Sequence, residues 1–93
     1  RQTVTLPFNK NKPVSFYDNF IIISEKEKLS ILSSHCTHLG CRISKFENGK
    51  LICPCHGSEY DLDGNPLKGP AYKPLVKMPA TISDDGQTIQ ITN

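Results

Sequence analysis

The sequence predicts an all-β domain of short antiparallel strands, on the strength of three observations. Short apolar runs rich in β-branched residues alternate with turn-forming Gly, Pro, Asn and Asp. An Asn-Gly pair at 48–49 lies between two such runs, which is a strong short-range signal for a β-hairpin. No segment sustains a helical period. The 93 residues therefore predict one small domain, 1–93, whose apolar burial alone would stabilise it only marginally.

Apolar and β-branched runs place the expected strands along the chain. The run Phe20-Ile21-Ile22-Ile23 is continuously apolar and rich in β-branched residues, which predicts a buried strand. The run that ends at Pro7 predicts a short edge strand. Proline and glycine predict an irregular segment over 66–74. The expected strands are 3–6, 14–16, 20–24, 29–34, 43–46, 50–52, 75–83 and 87–92.

Charge and hydropathy exclude some classes of function. Eleven basic and nine acidic residues are interspersed and give a net charge of +2, without the basic run that would predict nucleic-acid binding. No apolar run approaches the roughly 20 residues needed to span a bilayer. The chain begins at Arg1 rather than Met, so we expect it to be a processed or excised piece of a longer protein.

The cysteines and histidines are concentrated in two short loops. All four cysteines and two of the three histidines lie in Cys-Thr-His-Leu-Gly-Cys at 36–41 and Cys-Pro-Cys-His-Gly-Ser at 53–58. Taking one Cys-x-His and one Cys-x-x-His gives four candidate metal ligands and leaves two cysteines over. The candidate ligands are Cys36, His38, Cys53 and His56, and the remaining cysteines are Cys41 and Cys55. A structural zinc is the alternative for such a set, but zinc fingers usually place cysteines together and histidines together.

The two loops, with Gly69-Pro70-Ala71 downstream, closely resemble the paired signature of Rieske iron–sulfur proteins, in the form found in quinol–cytochrome c and quinol–plastocyanin oxidoreductases. The resemblance implies a 2Fe–2S cluster, with Cys36 and Cys53 on the inner iron and His38 and His56 on the outer one. Two neutral imidazoles in place of thiolates raise the potential of such centres to roughly −150 to +300 mV, against about −400 mV for plant-type clusters. It also implies the Rieske fold, an antiparallel β base with a smaller inserted cluster-binding subdomain, here about 35–71.

The resemblance further implies a disulfide between Cys41 and Cys55 that ties one loop to the other. It would close a loop of about 15 residues, for which the chain-entropy model gives on the order of 3 kcal/mol. The alternative is a pair of buried thiols in a reducing compartment. Rieske ferredoxins and the Rieske domains of oxygenases generally lack this pair, so its presence favours the quinol-oxidising branch.

Other residues near the loops take roles from the same resemblance. The hydroxyls of Ser58 and Tyr60 would bond to cluster sulfur and raise the potential. The alternative is that Ser58 caps a turn and Tyr60 fills the core. Leu39 and Pro70 would shield the cluster and form a docking tip, or else simply pack. His35 matches no ligand position, and we expect it to be an exposed bystander.

The function implied is one-electron transfer coupled to a proton. His38 and His56 would take a proton from quinol at their outer ring nitrogens, in a pocket completed by a cytochrome b-type subunit. A c-type cytochrome or similar protein would accept the electron. No complete active site is legible on this chain. We expect the domain at the extracytoplasmic face (periplasmic or outer) of a bacterial cytoplasmic membrane, attached only through an N-terminal anchor missing from this sequence.

Two rival functions remain open from the sequence. One is the electron-transfer subunit of a soluble oxidoreductase, such as an arsenite-oxidase-like enzyme. The other is a Rieske ferredoxin that serves an oxygenase, which would work at lower potential.

Overall fold

The chain folds as an all-β domain, as the sequence predicts. The computed structural model describes residues 3–25, 28–37, 41–55 and 57–92. The strands in these ranges are β1 (Thr3–Pro7), β2 (Val14–Tyr17), β3 (Phe20–Glu25), β4 (Lys28–Ser33), β5 (Lys45–Glu47), β6 (Lys50–Ile52), β7 (Glu59–Tyr60), β8 (Pro66–Lys68), β9 (Ala80–Ile82) and β10 (Thr88–Thr92). This described part of the chain contains no helical stretch whose length and apolar character would suit it to crossing a bilayer.

The strands form three antiparallel sheets. The first has the order β1–β10–β9, the second β2–β3–β4, and the third β5–β6–β7–β8. Because β1 pairs with β10, the first sheet joins the two ends of the described chain, and β1 lies at its edge as expected. The third sheet is a meander of consecutive strands that lies between β4 and β9 in the chain.

The second sheet lies between two hydrophobic cores. Side chains of a β-strand alternate between its faces, and here both faces of β3 and β4 are covered. One core, which we call the site core, consists of Ile21, Ile23, Leu32, Cys36, Ile43, Leu51, Cys53, Tyr60, Ala71 and Leu75. The other, the base core, consists of Phe20, Ile22, Ile31, Ile89 and Ile91. The alternation of β3 between these cores explains why its sequence is continuously apolar.

The predicted hairpin at 48–49 is present. β5 pairs with β6 through Phe46 opposite Leu51. Asn48 and Gly49 have φ angles of 53° and 76°. Both central residues of a type I′ turn need positive φ, which Asn and Gly tolerate best. The hairpin therefore joins the two loops that carry the cysteines.

Two expectations about strands are wrong. The segment 66–74 is not wholly irregular, because β8 forms at its start and pairs with β7, a strand that the sequence did not predict. Proline is tolerated as the first residue of a strand, which is the position of Pro66. The long strand expected over 75–83 is reduced to β9, since Leu75 is a loop residue in the site core and Lys77 makes a single bridge to Leu32.

Replacing Gly64 by Ala should destabilise the domain more than replacing Gly86. Both glycines have positive φ, +86° and +73°, which costs other residues roughly 1–2 kcal/mol. A Cβ on Gly64 would lie 3.3 Å from Leu32 and from Leu75, whereas one on Gly86 meets nothing within 4 Å. Urea unfolding of Gly64→Ala and Gly86→Ala measures the difference, and equal losses of stability would show that core crowding plays no part.

Candidate metal centre

Two loops of the same design hold the two candidate cysteine ligands. The first follows β4 and the second follows β6. In the first, the N–H of Cys36 donates to the carbonyl of Cys41 at 2.7 Å; in the second, the N–H of Cys53 donates to the carbonyl of Ser58 at 2.8 Å. Each bond closes the loop onto a residue five positions later. Cys36 and Cys53 therefore make the same kind of closing hydrogen bond in their two loops.

The predicted disulfide joins these loops. Cys41 and Cys55 are bonded with an S–S distance of 2.06 Å and Cα atoms 6.4 Å apart, across a separation of 14 residues. A closed loop of this length stabilises a fold by about 3 kcal/mol in the chain-entropy model. The disulfide prediction is confirmed.

Cys36 and Cys53 keep their sulfurs outside the disulfide and deep in the site core. Their exposed fractions are 4% and 1%. A buried thiolate requires a compensating cation, and a soft thiolate donor suits iron–sulfur chemistry. Two buried cysteine side chains on adjacent loops, beside a disulfide that uses the other two cysteines, therefore fit a metal centre well.

His38, Leu39 and His56 lie outside the described residues. Within the ranges that are described, no three side chains of metal-ligating type come together. Sequence spacing alone puts one imidazole two or three residues after each buried cysteine, so the full ligand set stays a prediction.

Tyr60 lies against the first cysteine. Its side chain is fully buried, and its hydroxyl oxygen is 3.2 Å from the Cys36 sulfur. The N–H of Thr37 donates to the same oxygen at 3.1 Å. Burial, and next the contact with Cys36, raise the pKa of Tyr60. The phenol therefore stays protonated and has a proton to donate.

Ser58 joins the second loop to the segment 69–73. Its hydroxyl oxygen accepts a hydrogen bond from the N–H of Ala71 at 3.1 Å, in a fully buried position. A hydroxyl has one proton and two lone pairs. Since Ser58 accepts in this bond, its proton is left for a further acceptor.

The segment 69–73 is bonded to both loops. Ala71 contacts the second loop through Ser58, and the carbonyl of Lys73 accepts a hydrogen bond from the Thr37 hydroxyl of the first loop at 2.8 Å. Ala71 is buried and Pro70 is exposed. The structure therefore brings the third matched motif to the same place as the two loops.

Two further residues lie near the site, one that we expected to be a bystander and one that the sequence analysis did not single out. His35 is exposed, and its Nε2 lies 3.1 Å from Oδ1 of Asn19, facing the hairpin turn between β2 and β3. Thr37, by contrast, forms hydrogen bonds with Tyr60 and Lys73, although no role for it was predicted from the sequence. A threonine between two predicted ligands carries no signal of its own, and only the folded chain shows its partners.

The fold and the site together define a small all-β domain with two disulfide-linked loops, each of which carries a buried cysteine suited to bind a metal. The family model for the Rieske 2Fe-2S domain matches residues 2–79. The chain therefore belongs to the Rieske 2Fe–2S domain family, whose cofactor is a Rieske-type 2Fe–2S cluster and whose role is electron transfer.

Similar proteins agree with this assignment. The chain is 41% identical over 70 residues to the cytochrome b6-f complex iron-sulfur subunit of Gloeobacter violaceus, covering 71% of this chain and 37% of that protein. It is 35% identical over 82 residues to the subunit of the same name from Chlorobaculum thiosulfatiphilum, covering 86% and 45%. It thus spans less than half the length of these curated relatives.

A solved structure is also similar. The cyanobacterial plasma membrane Rieske protein PetC3 from Synechocystis superposes with a TM-score of 0.69 at 32% identity, covering 80% of this chain and 76% of that one. The predicted all-β Rieske fold is confirmed.

Proposed function

We propose that the chain is the cluster-bearing domain of the iron–sulfur subunit of a quinol–cytochrome c oxidoreductase of the bc1/b6f type. In this role it takes an electron and a proton from quinol and passes the electron to a c-type cytochrome. The Cys41–Cys55 disulfide carries the proposal, because it ties the cluster loops together in the way expected of the quinol-oxidising branch. The similarity to cytochrome b6-f iron-sulfur subunits supports it.

The proposed ligands are Cys36, His38, Cys53 and His56, within a cluster-binding part of about 35–71. The burial of Cys36 and Cys53 supports their role as thiolate ligands, and β5 to β8 lie within the proposed part. When bound, the cluster takes up and returns one electron. Each histidine would hold the metal through one ring nitrogen, so that its other ring nitrogen could take up and release a proton.

The proposed partners are a cytochrome b-type subunit with quinol and a c-type acceptor, at the extracytoplasmic face of a membrane. Disulfides persist mainly in oxidising compartments, which supports this side of the membrane.

Pro70 and Leu39 are proposed to shield the cluster and contact partners. In the third segment, exposed Pro70 precedes Ala71, which is buried and bonded to Ser58. The segment 69–73 is thus anchored at Ala71, while the adjacent Pro70 is exposed for contact with a partner. For Leu39 the support is the sequence resemblance.

A redox titration of the purified domain tests the proposed function. Two imidazole ligands should place the midpoint well above the roughly −400 mV of plant-type clusters, and toward the upper part of the Rieske range. The reduced domain should also reduce a c-type cytochrome in a stopped-flow experiment. A midpoint near −150 mV, the low end of that range, with no reaction with the cytochrome would instead indicate a ferredoxin.

Iron content tests the ligand set. His38→Ala and His56→Ala should each lose the cluster, with loss of iron and of visible absorbance, because each removes one ligand. His35→Ala is the matched control, since His35 is an exposed histidine of the same loop region and should keep its iron. Retention of full iron by either ligand variant would refute the assignment.

Tyr60→Phe and Ser58→Ala should each lower the midpoint potential. Hydrogen bonds to cluster sulfur stabilise the negative charge gained on reduction, so their loss disfavours the reduced state. Tyr17→Phe is a suitable control, because Tyr17 packs against the base core rather than the site core. An unchanged midpoint in both test variants would show that these hydroxyls have only packing roles.

A further inference from the structure

The Tyr60 hydroxyl has one proton and two possible acceptors. The Cys36 sulfur is 3.2 Å from its oxygen, and the Thr37 hydroxyl oxygen is 3.0 Å away. Both distances are within hydrogen-bond range. Since a phenol donates only once, the two acceptors compete for the same proton.

The Thr37 hydroxyl can only be an acceptor toward Tyr60. Its oxygen lies 2.8 Å from the carbonyl oxygen of Lys73, and a carbonyl has no proton to give. The proton between these two oxygens is therefore that of Thr37. With its proton used there, Thr37 offers Tyr60 a lone pair.

Thr37 also contacts Tyr60 through its backbone. Its N–H donates to the Tyr60 oxygen at 3.1 Å and occupies a lone pair of the phenol. Two groups of Thr37, its N–H and its hydroxyl, thus contact the Tyr60 hydroxyl oxygen. What can still change is the direction of the Tyr60 O–H bond, toward the Cys36 sulfur or toward the Thr37 hydroxyl.

We propose that Thr37 is a positioning residue that competes with the Cys36 sulfur for the hydrogen bond donated by Tyr60. This competition lowers the reduction potential of the domain. The inference rests on the proposed function, in which Cys36 binds the cluster. A sulfur that gains negative charge on reduction becomes a stronger acceptor. On reduction, the Tyr60 hydroxyl has to give up its hydrogen bond to Thr37 in order to donate to the sulfur. The loss of that bond offsets part of the stabilisation that the reduced state gains from Tyr60.

The direction of the shift in midpoint potential distinguishes the proposed role of Thr37 from that of a hydroxyl that donates to sulfur. Removing the hydroxyl of Tyr60 should lower the midpoint, whereas removing that of Thr37 should raise it, because the Tyr60 proton then has the sulfur as its acceptor. Thr37→Val suits the test because valine keeps the branched shape. Thr37→Ser keeps the hydroxyl and should leave the midpoint close to that of the wild type.

A double-mutant cycle isolates the pathway through Tyr60. Spectroelectrochemical midpoints are measured for the wild type, Thr37→Val, Tyr60→Phe and the double variant, with the visible spectrum and iron content of each. The expected order is Thr37→Val above wild type above Tyr60→Phe, with the double variant equal to Tyr60→Phe. Thr37→Ala, a second variant without the hydroxyl, should shift in the same direction as Thr37→Val.

Several results would overturn the inference. A midpoint that falls or stays the same in Thr37→Val with an intact cluster spectrum is one. A rise that persists unchanged in the Tyr60→Phe background is another, since it would reflect loosening of the bond to Lys73 instead. Failure of the wild-type domain to hold iron would refute the proposed function, which is a separate outcome.

Discussion

The site depends on the burial of Cys36 and Cys53 in the same core that stabilises the second and third sheets. Both sulfurs lie among the aliphatic side chains of β3, β4 and β6, so the candidate metal centre is continuous with the site core. Burial of a thiolate is costly unless a cation compensates it. The occupied centre should therefore stabilise the fold as well as carry the electron, which matters in a chain of 93 residues.

The segments around the centre are linked to one another by few but specific bonds. The Cys41–Cys55 disulfide joins the two loops, the Ser58–Ala71 bond joins the second loop to 69–73, and the Thr37–Lys73 bond joins the first loop to the same segment. Each of the three segments is therefore bonded to the other two, so displacement of one segment strains its bonds to both. Such links lock the supporting groups of a site and so help to hold it in one geometry.

The sequence predicted the parts of the fold that local chemistry decides. The Asn48-Gly49 turn follows from the positive φ that a tight hairpin requires, and the buried strand β3 follows from a continuous run of apolar, β-branched residues. The pairing of β7 with β8 was missed, because strands of two and three residues, the second starting with proline, are too short to show a strand pattern in the sequence. The disulfide could be predicted because the spacing of the cysteines resembles that of a known family, and the ligand role of Cys36 and Cys53 is predicted on the same ground.

The same comparison explains why Ser58 and Tyr60 were predicted and Thr37 was not. The motif identifies which hydroxyls lie near the ligands, but it does not say which of them has a proton to donate. Ser58 accepts from the N–H of Ala71 and has its own proton left to donate, whereas the Thr37 hydroxyl already donates a hydrogen bond to the carbonyl of Lys73. Ser58 is therefore proposed to act as a donor to the centre, and Thr37 as a competing acceptor. This distinction depends on backbone groups of the segment 69–73, whose positions only the tertiary structure provides.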